Sequence, residues 1–152
     1  MNASINDQLD AHGKDARDLE IALPGGRLRL KEASVESVGV SASGAQYAPS
    51  QNWNVSGDQG RKLATKIKDR VHYLLEPLEV IEAESDAILL RSDKPHQSEG
   101  VRSYYEGWAK PDGFDLKRYA AKSNQPREST PLRLTREIVE RLAHDLDSIA
   151  AE

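Results

Sequence analysis

The sequence predicts an α+β fold, a largely antiparallel sheet of about five to seven strands with two amphipathic helices packed on one face. Three observations lead there. Stretches in which apolar and polar residues alternate recur along the chain, separated by turn residues, as strands require. Two longer stretches instead repeat their apolar residues at helical spacing. The order of elements, strands, one helix, four strands, one helix, lets successive strands pair as antiparallel neighbours without helical crossovers.

Residues 1–17 are polar and without periodicity, and read as a disordered tail ahead of a single domain over 18–152. Within the domain, Leu19, Ile21 and Leu23 alternate with polar neighbours, pause at Pro24-Gly25-Gly26 and resume at Leu28 and Leu30, a hairpin pattern. A third strand falls in 34–40, with Val38 and Val40 on one side. The stretch 41–57 is rich in Ser, Ala, Gly, Asn and Gln around Tyr47 and Trp53, and reads as a long loop with freedom to move. A helix follows over 58–75. Ser56 and Gln59 are spaced as a capping box, Leu63, Ile67, Val71 and Leu74 share a face, and Pro77 ends it. Burying those four side chains contributes about 6 to 12 kcal/mol before ordering costs, so this helix needs a sheet to dock on.

Strands over 78–83 and 87–91 turn at Glu84-Ser85-Asp86, and the unbroken run Ile88-Leu89-Leu90 marks the second as a central strand covered on both faces. Polar loops over 92–100 and 123–130 flank the next hairpin. Thr135 then caps a last helix whose stripe is Ile138, Leu142, Leu146 and Ile149, widened by Val139 and Ala143.

The hairpin over 101–121 carries most of the aromatic residues. Lys110-Pro111-Asp112-Gly113 suits a type I turn with a glycine bulge, since proline pre-sets φ and glycine accepts a positive one. A three-residue loop over Pro111 to Gly113 sets Trp108 against Leu116, Glu106 against Arg118 and Tyr104 against Ala120 on one face, and Tyr105 against Tyr119 on the other. The first face is the more apolar and is expected to look at the core. A slip of one residue would turn every side chain over.

Composition narrows the function classes. About one residue in five is Leu, Ile, Val or Phe, close to the lower limit for a folded core. The chain has no cysteine, which excludes a disulfide scaffold and thiolate chemistry. There is no signal-peptide pattern and no run of eighteen apolar residues, so the expectation is a soluble cytoplasmic protein without membrane association. The net charge is -4, but it is unevenly spread: 58–75 is basic, 76–100 acidic. Four histidines stand apart with no metal-ligand spacing, and no nucleophile elbow, P-loop or dinucleotide fingerprint occurs. No cofactor, metal or catalytic residue is therefore assigned.

Two constellations remain. Gly57-Asp58-Gln59-Gly60 at the start of the basic helix resembles the GxxG loop of KH domains, whose glycines let the backbone approach nucleic-acid phosphates; the resemblance implies contacts from Gly57, Gly60, Arg61, Lys62 and Lys66. The alternative is an ordinary helix start with a solvated basic face. The second constellation is Tyr104, Glu106, Trp108 and Arg118, a charge pair beside aromatics able to orient a small polar ligand, or simply a cross-strand pair. The favoured reading is a non-enzymatic binding or protein-interaction module, with a protein partner or a homodimer through exposed edge strands. The alternatives are a nucleic-acid binder using 58–75 and a ligand cup or enzyme on the 101–121 face.

Overall fold

The computed structural model describes residues 4–152. In chain order the elements are α1 (Ile5–His12), β1 (Arg17–Leu23), β2 (Gly26–Val35), β3 (Val40–Ala42), β4 (Gly44–Pro49), α2 (Gly57–Arg70), β5 (Leu78–Ala83), β6 (Ile88–Ser92), β7 (His96–Ser98), β8 (Val101–Lys110), β9 (Gly113–Lys122), β10 (Glu128–Thr130), β11 (Leu132–Leu134) and α3 (Arg136–Ala150). All strands join one antiparallel sheet in the order β11-β3-β2-β4-β9-β8-β6-β5. Beside this path, β1 flanks β2, β10 flanks β9 and β7 flanks β8. The class is α+β as expected, but the sheet has eleven strands among the described residues, not five to seven, and three helices, not two.

The additional strands come from stretches that read as loops. The segment 41–57 contains β4, which joins the two hairpins by pairing with β2 on one side and β9 on the other. Its small residues Gly44, Ala45 and Ala48 give no alternation to read, yet they let the strand sit between larger neighbours. Strands β3, β7, β10 and β11 are three residues each, too short to show a period. The strand expected over 34–40 is divided: β2 runs to Val35, Val38 is exposed, and Val40 opens β3.

The disordered tail expected over 1–17 does not describe residues 5–12. Ser4 caps α1 by accepting from the Asp7 amide at 3.1 Å, and Ile5, Leu9 and His12 fall on one buried face. His12 Nε2 donates to the Ala33 carbonyl at 2.7 Å, tying the helix end to β2. Arg136 of α3 holds it from the other side, donating to Asp10 at 2.5 Å and Asn6 at 3.0 Å.

Helix α2 starts at Ser56 as expected, but the capping box does not form, because the Ser56 hydroxyl donates to Asn54 Oδ1 at 2.8 Å. It also ends early, at Arg70. The helix closes at Val71, whose amide donates to the Ile67 carbonyl, well before Pro77, and Val71 and Leu74 stay buried in the segment that follows. Thr135 does cap α3, accepting from the Ile138 amide at 3.0 Å. The three helices bury their apolar stripes in one cluster with the inward residues of the strands, which leaves the opposite face of the sheet without a helix.

The hairpin register differs by one residue from the expected one. Lys110 pairs with Gly113, so the loop is Pro111-Asp112 alone; Ala109 faces Phe114, Gly107 faces Leu116, Tyr105 faces Arg118 and Tyr104 faces Tyr119. The cause is packing. Phe114 and Leu116 are almost wholly buried, and the Phe114 ring lies over Gly107 so closely that a Cβ there would be 2.5 Å from Cζ. The small residues Gly107 and Ala109 face inward because the ring needs their space, and Tyr104, Glu106 and Trp108 turn outward. At the loop, Gly113 takes φ +136° and leaves no room for a side chain beside the Tyr47 carbonyl, while the Trp53 amide donates to the Pro111 carbonyl at 2.8 Å.

Arg118 keeps its inward position but meets a different acid. Its guanidinium forks onto Glu76 at 2.9 and 3.2 Å and stacks on the Tyr105 ring at 4.3 Å. The Ser92 hydroxyl also donates to Glu76, at 3.1 Å, and accepts from the Tyr105 amide at 2.7 Å. All of these groups are buried, and together they pin the segment after α2 to β6, β8 and β9.

Two stability measurements check this core. Arg118→Ala strands the buried Glu76 carboxylate and is expected to cost about 3 to 5 kcal/mol in urea denaturation, most of it recovered in Glu76→Leu with Arg118→Met. Gly107→Ala is expected to cost about 1 to 3 kcal/mol by overpacking against Phe114.

Candidate functional site

Alternation along the strands places a second cluster on the helix-free face. Strand β8 contributes Arg102, Tyr104, Glu106 and Trp108, β6 contributes Leu89 and Arg91, and β9 contributes Lys117 and Tyr119. The register sets Arg91 and Lys117 on either side of Glu106, and Tyr119 beside Tyr104. Arg127 reaches the same place from the turn before β10.

The Glu106 carboxylate is the hub. Arg127 donates to it through both terminal nitrogens, at 2.6 and 3.4 Å, Arg91 at 3.2 Å and the Trp108 indole at 3.2 Å. Arg127 also donates to the Tyr104 hydroxyl at 3.2 Å and lies 3.8 Å from the Tyr119 ring centroid. Arg91 and Arg102 stand 5.7 and 5.9 Å from the Tyr104 ring centroid, and the two tyrosine rings are 6.0 Å apart. These ligands leave Glu106 only 6% exposed, while Arg127 is 42% exposed at the side chain and Arg102 lies open to solvent. Burial alone would raise the Glu106 carboxyl, but the hydrogen bonds from Arg127, Trp108 and Arg91 outweigh it and hold the group below its ordinary value. The same contacts push the Arg127 guanidinium up, so it stays charged.

Three of the four residues singled out on this hairpin are thus brought together, and Arg118 is not: it lies on the inner face with Glu76. The cluster's other members were missed for different reasons. Arg91 was readable by alternation from Leu89 once β6 is a strand. Tyr119 needed the correct register, and Arg127 sits in a polar stretch whose sequence carries no period. With Arg91 and Arg127 on the Glu106 carboxylate, Arg102 beside the Tyr104 ring and Lys117 opposite Glu106, the patch carries an excess of positive charge. The Glu106 carboxylate is already surrounded by protein donors, so this face offers aromatic and guanidinium contacts.

The basic helix has a different character. Arg61 pairs with Asp58 at 3.4 Å, Lys66 and Arg70 with Glu152 at 3.7 and 2.6 Å, and Lys68 with Glu79 at 3.3 Å. Lys62 is exposed, at the rim of a cleft of about 150 Å3 shared with Trp53, Asn54 and Lys66. Gly57 takes φ +54° at the exposed helix start. Gly60 is buried against the Val55 carbonyl, which a Cβ would strike, so packing accounts for the second glycine. Among the described residues no group of three His, Asp or Glu side chains is placed to hold a metal ion, and no helix is long and apolar enough to cross a membrane.

The depressed Glu106 group makes a pH prediction. A carboxylate held below its unfolded value of roughly 4.3 adds stability that is complete above that pH and is lost as pH falls through the lower native value. The stability gap between the wild type and Glu106→Gln, followed by urea denaturation on going acidic from neutral pH, is expected to stay constant down to about pH 5 and then narrow. Comparison of the chain with protein-family models, curated proteins and solved structures finds no match.

Proposed function

We propose that the protein is a non-enzymatic interaction module whose working surface is the helix-free face of β6, β8 and β9. The observation that supports this reading is the grouping of Trp108, Tyr104, Tyr119, Arg91, Arg102 and Arg127 on one open sheet face around the buried Glu106. Tyr, Trp and Arg are the side chains that dominate binding energy at protein interfaces, because they bring large contact area with few freely rotating bonds and a polar tip. Here they are also held in place before any partner arrives. Each ring has a guanidinium or an acid against it, so less ordering cost is left to the moment of binding. The excess positive charge of the patch favours a partner with an acidic surface, met at a rate that falls with salt.

A single-stranded nucleic acid is the competing occupant that the same observation admits, since bases stack on aromatic side chains and phosphates pair with arginine. The test uses two variants that keep every donor to Glu106: Arg102→Ala and Lys117→Ala. Affinity enrichment on immobilised wild type and variants, with melting curves to confirm folding, is expected to give acidic partner proteins retained by the wild type and weakened at least about tenfold by both changes. Enrichment unaffected by either variant would remove this face as the binding surface. Tight, salt-sensitive binding of RNA or DNA oligomers, lost in the same variants, would favour the nucleic-acid reading.

A further inference from the structure

The sheet has a second unpartnered feature, at its β5 end, next to β6 in the strand order. Strand β5 closes one end of the sheet and pairs only with β6 among the described residues. Four large apolar side chains are exposed on the described chain, and three of them cluster here: Leu75 just before β5 at 76%, Val80 at 39% and Ile81 at 46%. An edge strand also presents backbone N–H and C=O groups to any extended chain of the right character. The turn to β6 is closed by the Glu84 amide on the Ala87 carbonyl, and no backbone hydrogen bond among the described residues reaches the outer side of β5.

The charges around this edge decide its occupant. Glu79, Glu82, Glu84 and Asp86 lie on β5 and its turn; Lys68 of α2 is 3.3 Å from Glu79, and Arg91 of β6 stands opposite Glu79 in the ladder, so among the described residues the acids outnumber the cations here. A second copy pairing antiparallel along β5 would lay one acidic strand against another: one register sets Glu79 opposite Glu84, and the next sets Glu82 opposite its own copy, with like charges across the strands. That disfavours a homodimer through this edge. A basic strand with β-branched residues would instead match both the acids and the exposed Val80 and Ile81. The register adds a length limit: Val80 pairs with Leu90 and Glu82 with Leu89, so Ile81 is a bulge. A bulge twists an edge away from long, flat pairing, and restricts the occupant to a short segment.

We infer that the β5 edge is a docking site for a short, extended, basic segment of another protein, which adds as a strand beside β5 with its apolar side chains on Val80 and Ile81 and its Lys or Arg residues on Glu79, Glu82 and Glu84. The mode is strand addition, in which main-chain hydrogen bonds supply affinity and side chains supply selectivity. This site is the sheet edge rather than the face of β6, β8 and β9, which it adjoins through Arg91 opposite Glu79.

The experiment titrates full-length protein with three fluorescein-labelled octapeptides: alternating Lys and Val, alternating Glu and Val, and the Lys/Val peptide N-methylated at every second residue. Saturable binding of the Lys/Val peptide is expected, at least tenfold weaker for each of the other two, with amide shifts confined to residues 78–84 in heteronuclear spectra. The double variant Glu82→Lys with Glu84→Lys, both exposed, is expected to reverse the preference towards the Glu/Val peptide while keeping its melting temperature. Equal binding of the N-methylated peptide would show that no strand is added. Shifts centred on Tyr104 and Tyr119 would move the peptide to the other face, and a dimer in sedimentation that the Lys/Val peptide fails to dissociate would make the occupant a second copy; each overturns the inference.

Discussion

The ring of Phe114 occupies the space that a side chain at position 107 would take, and the hairpin has only one register in which that is possible. With Gly107 and Ala109 turned inward beneath the ring, the larger residues between them face outward. Everything that gives the sheet two distinct faces follows from this contact. Arg118 is left inside, where Glu76 from the segment between α2 and β5 meets it, and Glu106 is left outside, where the arginines of β6 and of the segment before β10 reach it. A hairpin with a bulky residue at 107 would have to slip, exchanging the two faces of β8.

The two faces solve the problem of a desolvated carboxylate differently. Glu76 is buried: an arginine fork and a serine hydroxyl donate to it, the arginine stacks on a tyrosine ring, and the group holds three strands and a loop together. Glu106 is satisfied to the same degree but from one side by groups that remain partly in water. Its arginines also lie against the Tyr104 and Tyr119 rings. Such a cluster suits contact with another molecule, whereas the first suits permanence.

Much of this architecture was legible in the sequence wherever a period was long enough to count. The β1–β2 hairpin, the two strands turning at Glu84-Ser85-Asp86, the faces of α2 and α3 and the Thr135 cap follow from spacing alone. What escaped shares a physical cause. Strands of three residues show no alternation, β4 is built of small residues, and α1 has only two aliphatic side chains, so its helicity depends on a surface elsewhere in the chain. The register of β8 and β9 escaped for a related reason: the turn residues suit more than one loop length, and the contact that selects between them involves a glycine, which reads as weak strand propensity and acts as room for a ring. Arg127 joins Glu106 only through tertiary structure.

The clamp on α1 has a consequence for synthesis. Ile5 and Leu9 are covered by β1, β2 and α3, and the arginine that holds Asp10 comes 126 positions later. A growing chain therefore carries its first helix without its final partner until nearly all the described sequence has emerged, and contacts of such sequence separation form late in folding. Helix α1, made before the other described elements, is among the last of them to be secured. Loosening α3 would release the opposite part of the chain first, so protection of the Leu9 amide against hydrogen exchange reports on the integrity of a helix more than a hundred residues away.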